Sequence, residues 1–174
     1  EQVTQYYVVS LIGKTLVLLI APINTIVISY LTKRKERLTR SQFGKAVLAG
    51  GGVSLVFFVA CQIGTPLFVW LFYRNLYESV KGIVTVVNLA QILGLFSAFL
   101  FILVLTFTDE RWQLWIQLAH FCILLVSSVL AARTYGMMGF AVASLGANSL
   151  RVAAVVILGI VKAGKNKGDR NADR

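Results

Sequence analysis

The residues of this chain that could do chemistry are few, and most are cationic or amide. Lys14, Asn24, Gln62, Asn88, Gln91, His120, Asn148 and Arg151 all fall inside long apolar stretches, and no Asp or Glu does. Asp109 and Glu110 stand in a turn and form no recognisable acid/base site with His120. There is no Gly-rich phosphate loop and no metal-ligand spacing, so the sequence makes no case for an enzyme, a metal or a cofactor. Cys61 and Cys122 lie in apolar runs, where cysteine packs as a small hydrophobe. Cations without carboxylates in apolar surroundings argue against binding a cation and for binding an anion.

Arg151 is the outlier. It sits more than ten residues from either end of its apolar run, too far for its head simply to snorkel to water. A charge at the centre of a bilayer costs at least about 2.5 to 3.5 kcal/mol. Arg151 therefore needs a polar cavity, an acidic partner or an anionic ligand. Gly139, Ala143 and Ala147 precede it at four-residue spacing, with Asn148 beside them. That stripe either packs a neighbouring helix closely or leaves room above the guanidinium.

The other polar residues have plainer readings beside the functional ones. Lys14 is about two turns into its span and can snorkel outward. Pro22 removes a backbone donor at mid-span, and Asn24 is placed to repair the ladder. Pro66 kinks the outer part of the second span. Asn88 and Gln91, three residues apart on one face, can bond across helices, each bond worth roughly 1 kcal/mol or less in a membrane. His120 suits a structural hydrogen bond, with proton coupling as the functional alternative.

The elements that position these residues follow from hydropathy. Of 174 residues, 57% are hydrophobic and 14% charged, and the mean hydropathy is +0.78. Soluble domains carry roughly 25% charged residues. The charges cluster between apolar runs, which predict an all-α, polytopic membrane protein with about five transmembrane helices in a single region. The predicted spans are 8–31, 46–72, 83–107, 112–131 and 136–161. Helices so apolar in so short a chain have no protein to cover them, so lipid must.

The basic residues predict the orientation. Lys33, Arg34, Lys35, Arg37, Arg40 and Lys45 fill the first linker, Arg111 the third, and Lys162, Lys165, Lys167, Arg170 and Arg174 the tail. These twelve share one side, against Arg74, Lys81 and Arg133 on the other. By the positive-inside rule the N-terminus is outside and the C-terminus cytoplasmic. The net charge of +10 thus has a topological cause, and no basic module points to nucleic acid. Trp70, Tyr73, Trp112, Trp115 and Tyr135 stand near span ends, as an aromatic belt would.

Several short motifs in order carry a resemblance. They are Gln5-Tyr6-Tyr7, then Ala21-Pro22-Ile23-Asn24, the basic linker, and Gly64-Thr65-Pro66-Leu67 followed by Leu71-Phe72-Tyr73-Arg74-Asn75-Leu76-Tyr77-Glu78-Ser79-Val80. Tyr135-Gly136-Met137-Met138-Gly139-Phe140-Ala141 closes the series. Together they resemble the bacterial polysaccharide or oligosaccharide flippases of the multidrug/oligosaccharidyl-lipid/polysaccharide exporter (MOP) superfamily. Tyr73 departs from the pattern, standing where the family usually has Gly.

The resemblance implies a MATE-like arrangement of two helical bundles around a cavity, with this chain matching the last five of twelve helices. It implies residence in the bacterial cytoplasmic membrane and translocation of lipid-linked oligosaccharide or polysaccharide intermediates. The implied partners are a lipid-linked sugar pyrophosphate, membrane lipids and polysaccharide polymerase machinery. Arg151 and Lys14 would meet the pyrophosphate, with Asn88, Gln91 and Asn148 as further cavity candidates. Pro22, Asn24 and Pro66 would serve as kink or gating positions. The alternatives are a multidrug or organic-ion exporter of the same superfamily, and a non-transporting membrane assembly subunit using the small-residue stripe to oligomerise.

Overall fold

The computed structural model describes residues 2–33, 39–105 and 108–172, and among them there is no strand. Five helical elements follow in order: α1 (Gln2–Lys33), α2 (Arg40–Phe72), α3 (Arg74–Val80), α4 (Val84–Leu105) and α5 (Glu110–Ala172). Three of them, α2, α4 and α5, carry stretches long and apolar enough to cross a membrane, which fits a membrane protein. Arg34, Lys35, Glu36 and Arg37 of the basic linker lie outside the described residues, as do Phe107 at the expected end of the third span and the side chains of Lys165, Lys167, Arg170 and Arg174.

The helices extend beyond the expected spans, from Gln2 in α1 and to Ala172 in α5, and two further differences have a local cause. α2 begins at Arg40, not near 46, because Thr39 and Gln42 form a capping box. Gln42 N–H donates to Thr39 Oγ1 at 3.4 Å, and Thr39 N–H donates to Gln42 Oε1 at 3.0 Å. The expected 73–82 linker contains the short helix α3. Its Val80 is fully buried, and Leu76 and Tyr77 pack on the same core, so one apolar face holds it down. An exposed ion pair, Lys81 with Glu78, closes its C-terminal end and adds little stability at such exposure.

α5 is a hairpin. Gly136 has φ 60° and ψ −139°, a backbone region that only glycine visits freely, and the chain reverses there. The limbs 110–135 and 137–172 then run antiparallel. Lys162 Nζ sits 5.6 Å from the Trp112 ring centroid, His120 meets Asn148, and Gly139 lies against the Ala131 carbonyl. A side chain at position 139 would occupy that carbonyl's space, so close apposition of the limbs requires glycine.

α4 is the central helix, packing on α1, α2 and α5. In α4 39% of the most apolar stretch is buried, against 6% in α2 and 6% in α5. The outer helices instead present large apolar side chains outward, among them Leu48, Val56, Ile63, Leu114 and Phe121. Two buried clusters sit at opposite ends. One joins Val8, Val9, Val69, Val80, Val84 and Ala141; the other joins Phe43, Leu100, Val104, Val155 and Ala163. The five aromatics expected near span ends are all exposed.

Candidate functional site

The polar interior is organised by α4, which has no ionisable side chain of its own. Asn88 is buried. Its Nδ2 donates to the Cys61 carbonyl and to Gln62 Oε1, both at 3.1 Å, and its Oδ1 accepts from Thr65 Oγ1 at 3.2 Å. Gln62 Nε2 completes the set by donating to Thr85 Oγ1 at 3.0 Å. This network fastens α4 to α2 one turn before Pro66. Proline opens the ladder behind it, and a neighbouring helix can then reach the carbonyls of that turn. Asn88→Leu keeps the volume and removes the amide. It should lower stability by about 2 kcal/mol, given three interhelical bonds at about 0.6 kcal/mol each and the polar partners left behind. Unfolding in mixed detergent micelles measures this, and an unchanged midpoint would remove the role.

Gln91 faces α1, its Nε2 donating to the Ser10 carbonyl at 3.3 Å across the space left by Gly13. Asn148, from the second limb of α5, donates Nδ2 to the Ala90 carbonyl at 2.8 Å. Gly94 stands beside that amide, one turn along α4 from Ala90, and leaves the carbonyl open. Asn148 Oδ1 meets His120 Nε2 at 3.2 Å. Asn88, Gln91 and Asn148 therefore each tie α4 to a different neighbour.

Arg151 lies one turn beyond Asn148. Its guanidinium carbon is 5.3 Å from the Phe101 ring centroid, and its Nε is buried with no hydrogen-bond partner. Among the described residues the only ion pair is Lys81 with Glu78, so no carboxylate neutralises Arg151. The site thus holds a half-buried cation, an aromatic face beneath it and an open donor. Of the small-residue stripe, Gly139 is packed against the Ala131 carbonyl, Ala147 is buried and Ala143 is half-buried.

Lys14 lies elsewhere, exposed on α1 with Nζ 4.5 Å from the Tyr7 ring centroid. Pro22 is exposed within a continuous α1. Asn24 lines a cavity of about 280 Å³ between α1, α2 and α4, walled by Gly50, Ser54, Phe57, Phe96 and Phe99. Tyr6 and Phe140, from two of the motif stretches far apart in the chain, meet edge to face with centroids 4.9 Å apart. Phe101 and Thr65 join the site only through the tertiary structure. Both stand within apolar or unremarkable surroundings, and only Thr65, beside Pro66, carried a local signal.

Comparisons with family models, with curated proteins and with solved structures gave no match.

Proposed function

We propose that this chain forms part of a transporter that moves lipid-linked oligosaccharide or polysaccharide intermediates across the bacterial cytoplasmic membrane. The observation that carries the reading is the Arg151 guanidinium, buried at Nε without an acceptor and lying over Phe101, with no carboxylate among the described residues paired to it. A planar fork of donors suits pyrophosphate oxygens, which it binds in bidentate fashion. The motif order supports the same family of substrate. Under this reading α1, α2 and α4 each cross the membrane once and the α5 hairpin crosses twice, within a MATE-like bundle.

The direct test is binding by the purified chain in lipid nanodiscs. A lipid pyrophosphate diester should bind more tightly than the matching monophosphate, and an organic cation should not compete. Preference for the cation would support the multidrug alternative. No preference among the three would leave an assembly subunit as the better reading.

The orientation is tested separately. With Cys61 and Cys122 replaced by Ser, an impermeant thiol reagent applied to intact cells should label Asn75→Cys and not Lys35→Cys. The twelve-to-three division of basic residues motivates this. The opposite labelling pattern would invert the proposed topology.

A further inference from the structure

His120 meets Asn148, which stands one helical turn before Arg151 on the second limb of α5. Asn148 determines how. Its Nδ2 donates to the Ala90 carbonyl, so the oxygen that faces His120 can only accept. His120 Nε2 therefore carries the hydrogen in that bond. The proton-accepting atom of the neutral ring is then Nδ1.

The groups around the ring are simple. From the second limb of α5 the facing residues are Asn148 and, one turn on, Arg151; that limb's only other described cation, Lys162, is at the far end over Trp112. α4 contributes no ionisable group. α2 carries Arg40 and Lys45 near its start and Cys61 in the Asn88 network. On the first limb itself Glu110 and Arg111 stand at one end and Arg133 and Tyr135 at the other, and exposed Cys122 is two residues away. Of these charges, Arg151 stands one helical turn beyond the Asn148 that His120 meets.

We infer that His120 is a proton-binding site linked through Asn148 to the anion site at Arg151, so that the anion and a proton bind together. With the site empty, a proton on Nδ1 would place a second positive charge beside Arg151. An anion over Arg151 turns that repulsion into attraction. Linkage is reciprocal, so a proton on His120 also strengthens anion binding. The proton comes from bulk water, and no bond to the ligand is made or broken.

This rests on the proposed function, and the experiment separates the two. The probe is a pyrophosphate diester, whose own oxygens are strong acids and do not titrate near neutrality. Wild-type affinity should rise as pH falls from about 8 to about 5, by up to about tenfold per unit where one proton is taken up. Calorimetry in buffers of different ionisation heat should show uptake approaching one proton per anion. His120→Gln keeps a donor toward Asn148 and loses the proton site; it should bind with a flat pH profile. His120 is the only histidine, so its imidazole resonance reports the coupling directly. Adding the diester at constant pH should move that resonance toward the imidazolium form, and Arg151→Gln should abolish the response.

Equal pH dependence in wild type and His120→Gln, with binding still dependent on Arg151, overturns the proton site alone. A flat wild-type profile does the same. Absence of any Arg151-dependent binding at every pH overturns both this inference and the proposed function.

Discussion

Arg151→Ala is expected to weaken binding of the pyrophosphate diester by roughly 30-fold or more, while the chain still inserts and folds. Removing one member of a desolvated, hydrogen-bonded charge pair costs about 2 to 5 kcal/mol, and 1.4 kcal/mol is about tenfold. The fold should survive because the charge has no counter-ion to lose among the described residues, and removing a half-buried, unpaired cation relieves its desolvation. Arg151→Lys retains the charge without the planar fork. It should fall between the two and lose most of the preference for diphosphate over monophosphate. Parallel calorimetric titrations of the three proteins, with circular dichroism as the folding control, provide the measurement. Wild-type affinity in a well-folded Arg151→Ala protein would make the arginine structural.

Gly139→Val is expected to open the α5 hairpin. Any Cβ at this position meets the Ala131 carbonyl, a backbone atom that no rotamer change can move aside. Forcing the limbs apart should cost about 3 kcal/mol or more and separate His120 from Asn148. Gly136→Val should cost about 1 to 3 kcal/mol from backbone strain alone, since its φ is 60°. A bifunctional thiol cross-linker between Trp112→Cys and Lys162→Cys, in a background lacking Cys61 and Cys122, reads limb pairing. Efficient cross-linking with Gly139 intact, and its loss in Gly139→Val, is the expected result. Undiminished cross-linking and stability in Gly139→Val would show that the limbs do not need this close approach.

Both predictions join a residue that the sequence marked to a contact it did not mark. Arg151 was conspicuous as an isolated charge in an apolar run, but Phe101 beneath it was one apolar residue among many. Asn88 and Gln91 read as one pair on one face. In the structure they part, Asn88 to α2 and Gln91 to α1. Residues three apart are offset by about 60° around a helix, enough to address different neighbours when the helix is central. The capping box at Thr39 and Gln42 is legible as a local motif, but hydropathy does not register it because its surroundings are polar and basic.

The sequence by itself determined where the long apolar helices lie, where charge interrupts them, and that Arg151 has no carboxylate within any of them. Hydropathy and charge are properties of single residues summed along the chain, so they survive without knowledge of neighbours. Only the tertiary structure decided that the last apolar stretches form one hairpin folded at Gly136, that Gly139 packs against the Ala131 carbonyl while Ala147 is buried, and which partner each amide takes. Hydrogen bonds span about 3 Å, and interhelical packing sets which groups approach that closely. That is why Asn148 bridges Ala90 and His120 beside Arg151, a juxtaposition of residues as much as 58 positions apart in the chain.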